Sequence, residues 1–311
     1  MNKIVFATSN KNKLKEVRQL LKNTEILTLS DIGFNNDINE SGTTFLANAL
    51  IKSRTVYNFL KEKGTPLPVL AEDSGLQIDA LDGAPGIFSS RYSATETEPA
   101  TDENNRKKVL SEMEGIVNRK ANYIAVWVLY NSDNDIIFAE GKTFGEISYA
   151  VSGDLSFGYD PIFYSYDLED KFSEVSLTEK DSVSHRKRAM EKLFSSPTKV
   201  CTMKLDPEYY NLVANGEKTI EVRLFDEKRK GLAVGDIVAF INTENNDITA
   251  TRITTLTRFN NFDSCITNTG TKRVGFNGYS IEDTIKKYRT IYSSDDEERY
   301  GCLAIGIELL H

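Results

Sequence analysis

The chain has 311 residues, 40% apolar and 27% charged, which is ordinary for globular protein and long enough for two domains. Lys and Arg number 38 and Asp and Glu 46, a net charge of −8; residues 1–195 carry 23 basic and 29 acidic groups, 196–311 carry 15 and 17. Neither region is a basic nucleic-acid module by bulk charge, so anion binding must be local. Apolar runs fall far short of a membrane span, and the N-terminus lacks a signal-peptide apolar core. Cys201, Cys265 and Cys302 are odd in number and widely spaced, against a disulfide framework or a zinc site. A reduced cytoplasm is the expected location.

Lys3-Ile4-Val5-Phe6-Ala7 reads as a first strand, followed by a helix on which Leu14, Val17, Leu20 and Leu21 recur at helical spacing. Ser9 or Asn10 is a good N-cap. The first turn, however, holds Lys11 and Lys13, where the helix dipole favours acids by roughly 0.3–1 kcal/mol. Two cations there make sense if an anion occupies the helix start with its free N–H groups. A solvated lysine-rich helix is the competing reading. Residues 25–29 read as a strand. A polar loop through Asn39-Glu40-Ser41-Gly42 then leads to a long helix capped by Thr43 or Thr44. Lys52 shares a face of it with Phe45 and Ala49, either as a snorkelling lysine or as a phosphate contact.

Leu67-Pro68-Val69-Leu70 is an apolar run of strand length, and Leu76-Gln77-Ile78-Asp79-Ala80 alternates with period two. Between them, Ala71-Glu72-Asp73-Ser74-Gly75 reads as a strand end followed by a turn at Gly75. Carboxylates at a strand end suit a hard cation such as magnesium. A water of that cation, deprotonated by a neighbouring Asp, can attack phosphorus. The same residues also make a plain turn, because Asp and Ser bond their own backbone.

Asp82-Gly83-Ala84-Pro85-Gly86 is a glycine-proline loop ending at Ser89-Ser90-Arg91-Tyr92-Ser93, and 102–113 is a charged helix. Residues 122–130 and 136–144 read as a hairpin, and strands interleaved with helices indicate a mixed α/β sheet. Phe157-Gly158-Tyr159-Asp160-Pro161 can stack on a planar base and accept from its ring N–H, or simply pack on the sheet. Ser182 or Ser184 caps a helix continuing through Ala189, Met190 and Leu193, placing His185 and Arg186 at its start near Lys180. All three are donors when charged; a solvated surface pair is the competing reading. After a linker at 194–198, residues 207–215 read as a helix with Pro207 in its first turn. Residues 217–224 alternate as a strand, with Lys218, Ile220 and Val222 on one side and Thr219, Glu221 and Arg223 on the other. Strands at 236–241 and 248–257 and a helix at 280–291 follow, and residues 300–309 close the domain.

With these motifs in this order, residues 1–195 resemble the inosine/xanthosine triphosphate pyrophosphatase family. The matching stretches are Thr8-Ser9-Asn10-Lys11-Asn12-Lys13, Ser41-Gly42-Thr43-Thr44-Phe45 with Asn48-Ala49, and Ala71-Glu72-Asp73-Ser74-Gly75. They continue with Gly83-Ala84-Pro85-Gly86, Ser90-Arg91-Tyr92-Ser93, Phe157-Gly158-Tyr159-Asp160-Pro161 and Ser184-His185-Arg186. The resemblance implies magnesium-dependent hydrolysis of ITP, dITP and XTP to the monophosphate and pyrophosphate, usually by a homodimer. It implies phosphate binding by Thr8, Ser9, Asn10, Lys11, Asn12, Lys13 and Lys52, and a general base that also ligates metal at Asp73. Ser74 and Arg91 would contact substrate, and Phe157, Gly158, Tyr159, Asp160, Lys180, His185 and Arg186 the base. The family usually has two acids before the Ser/Thr-Gly, the first a metal ligand. Here Asn39 stands first and Glu40 second, so either Glu40 shifts into the role or Glu72 and Asp73 carry the metal. Hypoxanthine and xanthine present a carbonyl where adenine presents an amino group. A donor such as Arg186 can reject the mismatched base by as much as roughly 10⁴-fold.

Residues 201–311 resemble an ASCH domain, a small β-barrel related to the PUA fold, on Gly216-Glu217-Lys218-Thr219-Ile220-Glu221-Val222-Arg223 followed by Gly235-Asp236. The resemblance implies that a cleft around Lys218, Glu221 and Arg223 holds RNA or a nucleotide. ASCH domains that hydrolyse N4-acetylcytidine use a Lys and a Thr three residues on; Glu221 stands in that second place, so this activity is not expected. A Glu221–Arg223 pair that only stabilises the barrel is the competing reading. The expected architecture is an α/β mixed-sheet domain over 1–195 and a small β-barrel over 200–311. Two other functions remain open: pyrophosphate release from other modified nucleotides, or RNA binding by a protein with a decayed catalytic domain.

Overall fold

The computed structural model describes residues 2–153 and 158–310. Its chain divides into two units, one of Met1–Ile38, Asn48–Tyr130 and Ile137–Pro197, the other of Asn39–Ala47, Asn131–Ile136 and Thr198–His311.

In the first unit, β1 (Asn2–Phe6) pairs in parallel with β2 (Thr24–Leu27) on one side and β3 (Val69–Ile78) on the other. β3 runs antiparallel to β4 (Lys120–Ser132), which neighbours β5 (Asp135–Ile147). Short strands β6 (Phe163–Ser165) and β7 (Asp170–Lys171) extend from β5. The mixed sheet is covered by α1 (Lys11–Leu20), α2 (Phe45–Glu62), α3 (Asp102–Glu112), α4 (Leu177–Ser182) and α5 (His185–Ser195).

Side chains alternate across a strand, so β3 serves two faces. On one, Leu70 and Trp127 pack with Val17 of α1 and with Ala189, Met190 and Leu193 of α5. Farther along that face Leu76 and Ile78 pack with Val109 and Met113 beneath α3. Each fully buried apolar side chain of this kind contributes about 1.5–3 kcal/mol. The opposite face meets α2, where the rings of Tyr57 and Tyr130 lie 4.7 Å apart.

The turn expected at Gly75 does not exist. Residues 69–78 form one ten-residue strand, and the ladder with β4 continues unbroken from Val69–Tyr130 through Gly75–Ile124 to Ile78–Ala121. Pairing along the whole length overrides the local turn preference of Asp, Ser and Gly. The chain instead turns at Asp79–Leu81 and Asp82, which is left-handed at φ 50°. α4 was also unforeseen, although Ser176 and Glu179 form a reciprocal capping box at its start.

The second unit is a five-stranded sheet of β8 (Thr198–Leu205), β9 (Ile220–Leu224), β10 (Ile237–Asn242), β11 (Ile248–Phe259) and β12 (Cys302–Leu309). Its order is β8-β10-β11-β12-β9; only β8 and β10 are parallel. The sheet curls far enough that Arg223, on one edge strand, donates to the carbonyl of Lys204 on the other at 3.0 Å. That curvature is what a small barrel requires. Four helices, α6 (Pro207–Ala214), α7 (Phe262–Thr269), α8 (Ile281–Ile291) and α9 (Ser294–Tyr300), accompany it. Among the described residues no helix is long and apolar enough to cross a membrane.

Candidate active site

Glu72 and Asp73 occupy the middle of β3, and as strand neighbours they face opposite ways. The Glu72 side chain is fully buried, with Oε2 2.6 Å from Lys13 Nζ and Oε1 3.0 Å from Arg186 Nε. Arg186 reaches further, to Ser74 Oγ at 3.2 Å and Glu16 Oε2 at 3.3 Å. Burial by itself would raise the pKa of Glu72, but the charges of Lys13 and Arg186 outweigh it and hold the carboxyl well below its ordinary value. Deleting one partner of such a buried cluster typically costs about 3–5 kcal/mol. On the opposite face, Asp73 is 8% exposed. Its Oδ1 lies 3.3 Å from Lys52 Nζ, and its Oδ2 accepts from Asn48 Nδ2 at 3.1 Å. Asn48 and Lys52 are one turn apart on α2, so one helix face presents both to the carboxylate.

This separation corrects the expectation that Glu72 and Asp73 share a metal. Their carboxylates are on opposite sides of the sheet, and both oxygens of Glu72 are already matched to cations. Glu40 is half-buried and lies in the segment Asn39–Ala47, which groups with the second unit. Among the described residues no three His, Cys, Asp or Glu side chains gather in a way that could hold a metal ion.

At the start of α1, Asn10 is the N-cap, and its side chain accepts from the amides of Asn12 at 2.9 Å and Lys13 at 3.2 Å. Thr8 Oγ1 in turn accepts from the Asn10 amide at 3.1 Å. The free first-turn amides expected for an anion are therefore partly used by the cap, and Lys13 is drawn onto Glu72. Ser9, Lys11 and Asn12 are exposed. Arg91 is also exposed, 5.2 Å from the Phe88 ring at the end of a 3-10 helix.

The other end of the site gathers at α5, capped by Ser184. His185 is buried and stacks on Tyr123 with centroids 5.0 Å apart, its Nδ1 without a hydrogen-bond partner. Burial, then the charge of Arg186, push its pKa well below the ordinary histidine value. Tyr123 donates to Asp160 Oδ1 at 3.3 Å, and Lys180 on α4 forms an ion pair with the other oxygen. Trp127 Nε1 donates to the Arg186 carbonyl at 3.1 Å and pins the first turn of α5 to β4. Tyr159 departs from its expected role as a base contact. It is 4% exposed, packs in the core beneath α3, and donates to the Ser89 carbonyl at 2.7 Å, so its ring has no open face for stacking. Phe157 lies outside the described residues.

Lys13, Ser74, Glu72 and Arg186 are thus brought together on one face of the sheet, Lys52 and Asp73 on the other, and Asp160, Lys180 and His185 around Tyr123. Asn48 stood inside a matched motif without a role, while Glu16 and Tyr123 were not singled out at all. A polar residue at helical spacing from Lys52, and an acid one turn beyond Lys13, were the available signals.

In the second unit, Lys218 and Glu221 are buried, at 4% and 3% exposure. Glu221 bridges Lys218 Nζ at 3.2 Å and Arg223 Nε at 2.7 Å. Lys218 also donates to the Val274 carbonyl at 2.7 Å, and burial lowers its pKa against the opposing pull of Glu221. Lys218 and Glu221 were expected on opposite sides of a strand. That strand begins only at Ile220, so alternation does not extend to Lys218. Of the three, Lys218 and Glu221 are enclosed and Arg223 keeps partial exposure.

Comparison with known proteins bears on both units. A model of the ASCH domain matches residues 203–311. A Clostridium perfringens protein named dITP/XTP pyrophosphatase is 41% identical over 198 residues, covering 62% of this chain and 96% of its own. The solved structure of the Staphylococcus aureus Ham1 protein is similar at TM-score 0.56 and 32% identity, covering 62% of this chain and 96% of that one. A HAM1 protein from Coxiella burnetii is similar at the same TM-score and 38% identity, with the same coverage of each chain. With the Ham1 family model matching residues 4–196, well over half its length, the chain belongs to the Ham1 family.

Proposed function

We propose that this protein hydrolyses non-standard purine nucleoside triphosphates, dITP and XTP among them, to the monophosphate and pyrophosphate. The relatives' name supports the reaction class. The observation that carries it onto particular residues is Asp73, a nearly buried carboxylate held by an ammonium and an amide on one face of a rigid sheet. A magnesium ion would bind at Asp73 together with the substrate. The ion is commonly held by one or two carboxylates, several waters and substrate phosphates. Asp73 can supply the carboxylate, and the triphosphate must supply further oxygens. When bound, magnesium would offset charge on the phosphate oxygens.

The chain's own residues then act as follows. Asp73 takes a proton from a water whose oxygen bonds to the α-phosphorus. The bond from that phosphorus to the bridging oxygen breaks, and pyrophosphate leaves with the electron pair. Asn48 and Lys52 hold the carboxylate in one orientation, which favours a reactive alignment. β1 pairs with β3 only as far as Phe6–Leu70. A triphosphate at the β3 edge beside Asp73 would therefore meet Lys52 and the α1 start with Lys11 together, with Lys180, His185 and Arg186 toward the base. A donor at the 6-carbonyl of hypoxanthine or xanthine would be left unpaired by adenine.

Monophosphate and pyrophosphate released from dITP, XTP, dGTP and dATP test the reading. We expect kcat/KM for dITP and XTP to exceed that for dATP by at least about a hundredfold. A preference for a different modified nucleotide would reassign the substrate, and no release from any would leave a binding protein.

The second unit completes the proposal as a module that binds RNA or a nucleotide. Lys272, Arg273 and Tyr279 are exposed on the segment that Lys218 anchors at Val274, a mixture of cations and an aromatic suited to single strands. Contact with two or three phosphates would weaken binding of single-stranded RNA to the full chain about tenfold between roughly 50 and 200 mM salt. Absent or salt-independent binding would contradict it.

A further inference from the structure

α3 carries two buried polar side chains that the hydrolytic steps do not use. Asn105 is 2% exposed and Arg106 5%. Asn105 Oδ1 accepts from the Ser93 amide at 2.7 Å, while its Nδ2 lies 3.3 Å from the carbonyls of both Ser89 and Ser90. Arg106 Nη1 donates to the Gly158 carbonyl at 2.6 Å, and Asp102 Oδ2, one turn earlier, accepts from the Gly158 amide at 2.9 Å. One helix therefore holds both backbone polar groups of Gly158 and three backbone groups of the loop that carries Arg91. Tyr159 ties the two segments directly through its hydrogen bond to Ser89.

A guanidinium buried against a carbonyl is a weak stabiliser, because desolvation offsets most of what the bond returns. What Arg106 does provide is a fixed place for Gly158, which stands in the left-handed region at φ 64°. Two residues on, Asp160 receives Lys180 and Tyr123, and Tyr123 stacks on His185. A shift at Gly158 is passed through one residue to that group.

We propose that Asp102, Asn105 and Arg106 are positioning residues for nucleotide recognition, holding segment 158–160 and the loop 89–93 in register with His185 and Arg186. The inference rests on the function proposed above. Its test is steady-state kinetics of the full chain with dITP and dATP, each variant assayed well below its own unfolding midpoint. Arg106→Ala is expected to raise KM for dITP about tenfold, change kcat less than about threefold, and narrow the dITP-to-dATP ratio. Arg106→Lys, which keeps a donor, should recover most of the loss. Asp102→Ala should act in the same direction and Asp102→Asn, which keeps the acceptor, should restore it. Folded variants with wild-type KM and wild-type discrimination would overturn the proposal. Where Arg106→Ala does not fold, the two variants at the exposed Asp102 decide by the same criterion. Wild-type protein that releases no pyrophosphate would instead sink the proposed function, and the positioning role with it.

Discussion

Adjacent residues in this chain have opposite electrostatic situations. Glu72 faces two cations and is locked in place, whereas Asp73, across the sheet, meets the Lys52 ammonium and the Asn48 amide and is 8% exposed. His185 extends the pattern with a buried ring that resists its proton. Because its folded pKa lies below the ordinary 6.5, the unfolded chain binds that proton first. His185 therefore leaves stability unchanged above about pH 6.5 and lowers it below, by up to about 1.4 kcal/mol per pH unit. Glu72 adds a later loss. Its depressed pKa stabilises the fold above its ordinary 4.5, and that contribution drains away as the solution is acidified further. Trp127 is the sole tryptophan and is buried in the first unit, so its fluorescence reports unfolding there. Urea midpoints should stay level from pH 8 to about 6.5 and then fall, and His185→Gln should flatten the decline between about 6.5 and 5. A wild-type midpoint constant down to pH 5 would contradict this.

Helices with strong spacing and a capping residue could be read directly: α1 begins at Asn10, α5 at Ser184 and α8 at Ser280, and Pro207 opens α6. Local preference is a poor guide where pairing outweighs it. Asp73-Ser74-Gly75 has the composition of a turn, yet a ten-residue ladder with β4 keeps it extended. Lys218 shows the converse, because alternation predicts strand from residue 217, three residues before it begins at Ile220. The short helices α7 and α9 were missed for want of a full apolar stripe, although Asn261 and Ser293 cap them. α3 illustrates a deeper limit. As a sequence it is a charged helix; that Asn105 and Arg106 point inward follows only from where the 89–93 and 158–160 loops lie.

Residue types at the candidate site were largely legible, because the chemistry of a triphosphate demands carboxylates and cations. Their partnerships were not. No periodicity in β3 alone says that Lys13 and Arg186 converge on Glu72 from two helices, or that Asn48 and Lys52 reach Asp73 from a third. The fold makes these pairings by placing α1 and α5 on one side of a single strand and α2 on the other. The chain as a whole is acidic, with a net charge of −8, so the binding of a polyanion rests on these local cations. The division of labour across β3 is most directly tested by pyrophosphate release from dITP, with magnesium, by the full chain and by its Asp73→Asn variant. Asn preserves the size of the side chain and its contact with Lys52 but cannot take the proton. The variant should fold normally and lose roughly 10²–10⁴-fold in kcat; turnover equal to that of the wild type would show that Asp73 is not the base.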